Sequence, residues 1–248
     1  MVGPTASLSS LNRADGSAAY KCPATGYEVL GAVNAPIELP ARRDALKPEE
    51  ATVEVFVKPG NSMPGVGERY VEGILRSVLA EVILGRERGF PRRGVVITLA
   101  VISGKPAERG DNYLTLLPAL LHASLLALLS AAVPLSMTFS TALLGVNRTG
   151  TIIQDPLTAD ADVTSLHVLA FSSKGQLLLN ESEGRFDFET WETIREHAAS
   201  VCRGRPSVGS DGDVAMGDKS DDTRLDGFVR ETVEDRLHHD HAWKFHSN

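Results

Sequence analysis

Two cysteines in 248 residues, Cys22 and Cys202, and no CxxC pair leave nothing from which to build a disulfide framework or a structural zinc site. Two unpaired thiols instead fit a reducing compartment. An excess of positive charge is also missing. The 32 acidic and 25 basic residues give a net charge of −7. That excludes a wholesale electrostatic grip on nucleic acid and leaves room only for a narrow basic patch. No G-x-S-x-G occurs, and Gly60, Gly65 and Gly67 form a loose glycine loop without a phosphate-loop lysine. The opening residues, MVGPTASLSSLNRADG, have no apolar core, so no secretory signal is expected. His238-His239-Asp240-His241 carries ligand-type side chains without a convergent partner elsewhere, and reads as helix surface. No metal or cofactor is expected.

What the chain does have is apolar content, 42% hydrophobic against 23% charged, enough for a sizeable core. Its longest apolar run, Tyr113 to Met137, has the length of a membrane span. Pro118, His122, several serines and Pro134 interrupt it, and no basic cluster flanks it. A helix apolar all round and buried at the centre of a protein is the expectation, with no membrane partner.

The remaining pattern alternates between periods. ADGSAAYKCPATGYEVLGAVNAPIEL reads as two short strands, and ATVEVFVKP as a strand with Val53, Val55 and Val57 on one face. ERYVEGILRSVLAEVILGRERG is an amphipathic helix with Val71, Ile74, Leu75, Val78, Leu79, Val82 and Ile83 as its stripe, and Glu72, Arg76 and Glu81 on the wet face. VVITLAVI from Val95 is a buried strand. After the apolar helix come strands in MTFSTALLGV and TIIQDP. A hairpin then turns at Lys174-Gly175. A closing helix follows, with Phe188, Trp191, Ile194, Ala198 and Val201 inward and Asp187 as cap. The fold class is α+β, mixed sheets layered with helices. The expected boundaries are a flexible N-terminus over 1–10, a domain over 11–204, a disordered acidic linker over 205–222, and a C-terminal helix over 223–245 with Leu225, Phe228, Val229, Val233 and Leu237 at helical spacing.

Several segments together resemble the RNase PH family, specifically the eukaryotic exosome ring subunits. They are Asp15-Gly16-Ser17-Ala18 and Asn34-Ala35-Pro36-Ile37-Glu38 near the start, ATVEVFVKPG before the Glu68-Arg69 helix, the long apolar helix ending LALLSAAVP, and Gln154-Asp155-Pro156 ahead of a hairpin. The match runs from about Leu11 to Gly204 and rests on order and spacing. The opening Asp-Gly-Ser fits the catalytic-type half of that family. The resemblance implies two βα halves and a place in RNA metabolism, but not activity.

Phosphorolysis needs arginine forks and helix-start N–H donors for two charged groups, with an acid or a carboxylate-bound metal for the leaving oxygen. By resemblance the phosphate cradle falls at Tyr113–Pro118, with Leu117 where an arginine stands in active relatives. No Arg or Lys occurs between Arg109 and Arg148. Arg69 and Asp155 match other family positions, while the next family acid falls near Thr164 or Ser165, which do not ionise; Asp160 and Asp162 are close by. The resemblance therefore implies a non-catalytic ring subunit in the nucleus, nucleolus and cytoplasm. Lys58, Arg69, Arg92 and Arg93 are candidates for sequence-indifferent contact with RNA phosphates, and Arg42-Arg43 is a further basic pair. Implied partners are other RNase PH-like subunits, cap proteins with OB-fold and KH domains, single-stranded RNA in the channel, and a separate 3′–5′ nuclease. The alternatives left open are an active 3′–5′ exoribonuclease, phosphorolytic or metal-dependent, using Asp155, Asp160 and Arg69, and a homo-oligomeric relative.

Overall fold

The computed structural model describes residues 3–39, 48–60, 63–104, 113–156, 163–203 and 225–245. The first sheet contains β1 (Thr5–Leu8), β2 (Gly16–Lys21), β3 (Glu28–Glu38), β4 (Thr52–Lys58) and β5 (Arg93–Ser103), in the order β1-β2-β3-β5-β4. Helix α1 (Val66–Val82) connects β4 to β5, which run parallel as such a crossover requires; the other pairs are antiparallel. In β4 the valines at 53, 55 and 57 are buried and Thr52, Glu54 and Phe56 are half-buried, as the alternation predicts. The second sheet is antiparallel: β6 (Phe139–Asn147), β7 (Ile152–Gln154), β8 (Val163–Ser172) and β9 (Leu177–Gly184), in the order β7-β6-β8-β9.

The central helix α2 (Leu117–Ser130) packs on β2 and β3 of the first sheet and on β6 of the second. Covered by both sheets, it has no wet face, which is why its sequence shows no polar stripe. Twelve of its residues, Leu117 to Leu128, are buried. Helix α3 (Phe188–Arg203) covers β6 and β8, so β6 is buried over eight of its nine residues. Sheet two thus separates two cores: Phe139, Leu143 and Val168 belong with α2, and Ala142, Leu144 and Leu169 with Ile194, Ala198 and Cys202. The α+β class and the order of elements agree with the sequence pattern.

The Asp-Gly-Ser motif has a packing explanation. Asp15 accepts a hydrogen bond from the Ala35 N–H at 2.9 Å, tying the two ends of the first hairpin together. A Cβ on Gly16 would lie 2.2 Å from the backbone nitrogen of Ala131, just past the end of α2. Only glycine lets β2 approach the helix that closely.

Four details differ from the sequence reading. Residues 1–10 were expected to be flexible, yet Thr5–Leu8 pairs in register with Ala18–Lys21, because Ala6 and Leu8 have core to lean on. Glu72 is 5% exposed rather than on the wet face of α1; its carboxylate accepts the Val57 N–H at 2.9 Å and pins helix to strand. Ile83 lies past the end of α1 and bridges to Leu135. In α3 the buried residues are Ile194, Ala198 and Cys202, while Phe188 is 74% exposed and Val201 half-buried. The stripe is rotated because the helix rests on sheet two with its C-terminal half. The acidic linker, Arg42-Arg43, Asp160 and Asp162 lie outside the described residues.

Candidate functional site

A crevice of about 620 Å³ opens where the start of α2, the end of β2, β6, the end of β7 and the C-terminal helix α4 (Leu225–Phe245) meet. It brings part of the sequence-defined cradle together with Asp155, since Thr115 and Pro118 line it along with Gln154 and Asp155. The start of α2 is poorly equipped for an anion. Leu116, at the cap position, makes no side-chain cap bond, and Pro118 in the first turn has no N–H. Leu117 does not face the crevice; it is 1% exposed within the first core. The side chains that α2 and the turn before it present are Thr115, Pro118, Ala119 and His122, all without positive charge at neutral pH.

His122 is buried. The Thr141 N–H donates to its Nε2 at 3.1 Å, so the ring proton sits on Nδ1, which has no hydrogen-bond partner among the described residues. Burial holds its pKa down at about 4. Asp155 follows β7 in a left-handed conformation, φ 49°, which aspartate tolerates better than most residues. Burial pushes its carboxyl up to about 6. The Tyr20 hydroxyl is raised far above its ordinary value, first by burial and then by Cys22 and Asp155. Pro156 packs against Gly145, fixing where the chain leaves the site. Among the described residues, two guanidiniums line the crevice, Arg203 and Arg230, against four carboxylates, Asp155, Asp226, Glu231 and Glu234. The acid majority is the opposite of what a phosphate site requires.

The other sequence-selected residues lie elsewhere. Arg69 does not line the crevice; it is 73% exposed, 3.9 Å from Glu72. The start of α1 nevertheless neighbours the turn before α2. Gly67 packs under the Tyr113 ring, and Glu68, which burial alone would raise, is lowered by hydrogen bonds from Tyr113 and the Gly65 N–H. Lys58 ends β4 on this same side. Arg92 and Arg93 sit at the opposite end of the parallel pair, where Gly94 is opposite Thr52 and Ala100 is opposite Lys58. Six strand residues at about 3.3 Å each separate the two ends. Lys58 and the Arg92–Arg93 pair therefore lie at opposite ends of the parallel pair. Thr164 donates to the Val146 carbonyl at 2.8 Å and Ser165 bonds His167 at 3.0 Å, so both serve the sheet. In the C-terminal helix Asp240 is held by Arg236 at 3.0 Å and lies 3.6 Å from His239. The contribution of α4 to the crevice was absent from the sequence reading; only the spacing of Leu225, Phe228 and Val229 hinted that it docks.

No family model matches the sequence. Among solved structures the chain is similar to rice (Oryza sativa) Rrp46, at 26% identity over 78% of this chain and 85% of that one, with a TM-score of 0.67. It is also similar in fold to the Archaeoglobus fulgidus exosome with RNA bound to the active site, at 13% identity over 79% of this chain and 84% of that one, TM-score 0.59. An archaeal exosome core matches at 12% identity over 79% of this chain and 82% of that one, also with a TM-score of 0.59.

Proposed function

Starting from a chain with the RNase PH-like fold of exosome ring subunits, we propose that it serves as a non-catalytic ring member that shapes an RNA-threading channel for 3′-to-5′ RNA processing and degradation. The observation that carries this reading is the start of α2. Leu117 points into the core, Pro118 removes a donor, and among the described residues carboxylates outnumber guanidiniums around the crevice. Losing one bidentate arginine contact costs on the order of 2–3 kcal/mol, which is about a hundredfold in rate if it acts in the transition state. In this reading Lys58 and Arg69 touch the passing phosphate backbone, and Arg92 and Arg93 form a separate contact. Exposed Met63, Val66 and Tyr70 beside Arg69, and Phe186 and Phe188 after β9, supply apolar surface for neighbouring ring subunits. OB-fold and KH cap proteins and a separate nuclease complete the proposed assembly.

A second reading draws on Asp155. A carboxyl held near 6 in a crevice is a competent general acid, so a weak phosphorolytic or metal-dependent exoribonuclease is the alternative. Incubating the full chain with 3′-labelled single-stranded RNA, with and without phosphate and Mg²⁺, separates the two. Unchanged RNA is expected. Phosphate-dependent release of nucleoside diphosphates, lost in Asp155→Asn, would replace the silent-subunit reading with the enzymatic one.

A further inference from the structure

The N-terminal half of α4 forms one wall of the crevice and is anchored in both cores. Val229 is 4% exposed within the first core, and Phe228 meets the Tyr20 ring edge-on at 6.1 Å between centroids. Leu225 packs against the second core, near Cys202. One helix thus packs against both cores. The same half-helix supplies the crevice with Asp226, Glu231 and Glu234 but a single cation, Arg230. A phosphodiester chain approaching Asp155 shares the crevice with a helical wall that carries an excess of like charge.

We propose that α4 is an intramolecular competitor for an RNA 3′ end, narrowing the crevice as one of its walls and lining it with acid so that RNA passes the subunit without entering it. This rests on the reading above that the crevice around Thr115, Pro118 and Asp155 corresponds to the place where active relatives handle RNA. The occlusion itself rests only on where α4 docks. The arrangement gives the C-terminal helix a role that its solvated outer face does not reveal, and it makes silence a property of two features: a cradle without an arginine, and an acidic wall beside it.

Cys22, half-buried at the rim of the crevice, is a natural reporter. The full chain and a Phe228→Ala/Val229→Ser variant are labelled with a maleimide, and the Cys22 peptide is quantified by mass spectrometry, with and without oligoadenylate. Weakening the two anchors populates the open form, so Cys22 labelling should rise at least about tenfold. Oligoadenylate should protect Cys22 in the variant and not in the parent. Equal labelling of parent and variant, or equal protection by RNA in both, overturns the proposal. If circular dichroism shows the anchor variant to be unfolded, Asp226→Asn/Glu231→Gln/Glu234→Gln decides, because it leaves the apolar face intact. Oligoadenylate must protect Cys22 better there than in the parent, and no gain refutes the electrostatic exclusion. RNA shortened during the same incubation would overturn the silent-subunit reading instead, and leaves the labelling result to stand by itself.

Discussion

Leu117→Arg puts back the residue type that the resemblance places in the phosphate cradle, and the structure predicts that it fails. Leu117 is 1% exposed, in the core that α2 shares with the first sheet. Removing a fully buried leucine forfeits roughly 2–3 kcal/mol of apolar burial. A guanidinium cannot shed its charge in that apolar core, so its desolvation adds several kcal/mol unless the helix end shifts. A total near 5 kcal/mol is comparable to the whole stability of an ordinary domain. The urea midpoint should fall by more than about 1 M, and phosphate-dependent RNA shortening should not appear. A Leu117→Arg chain with unchanged midpoint and new phosphorolytic activity would refute the reasoning, because it would mean that position 117 faces the crevice after all.

Two further outcomes follow from buried polar groups. Glu72→Ala leaves the Val57 N–H without its acceptor at the joint between β4 and α1, and should cost about 2 kcal/mol in urea unfolding, with Glu72→Gln, which keeps an acceptor, costing clearly less. On acidification, His122 resists protonation in the folded state, with a pKa of about 4 against 6.5 when unfolded, so its contribution is intact above 6.5 and is lost as pH falls toward 4. His167, also held near 4, acts in the same direction. Asp155 opposes them: its folded value near 6 lies above the unfolded 3.8, so its contribution improves as pH falls through that window. His122→Gln, which retains an acceptor for the Thr141 N–H, should remove roughly 2 kcal/mol of the stability difference between pH 7 and pH 5; an unchanged difference in thermal unfolding would place the acid sensitivity elsewhere.

Much of the fold was legible in the chain because burial on one face imposes a period. Val53, Val55 and Val57 announced a strand, and Val71, Leu75, Val78, Leu79 and Val82 announced a helix. Glu72 broke the pattern because a charged residue is buried when a strand N–H is there to receive it, and no periodicity encodes that partner. Phe188 misled because a large apolar residue at helical spacing was read as inward, whereas α3 meets its sheet further along.

What the site lacks follows from the order of residues alone. No cation lies between Arg109 and Arg148, whatever the fold, and the apolar run over α2 allowed only an environment without water. The tertiary structure alone decided which side chains face the crevice. Leu117 turned inward, Arg69 stayed outside, Lys58 and Arg93 parted to opposite ends of a parallel strand pair, and a C-terminal helix far along the chain brought three acids to Asp155. Such proximity depends on how sheets and helices pack, and packing is a relation between segments distant in sequence that no local pattern records.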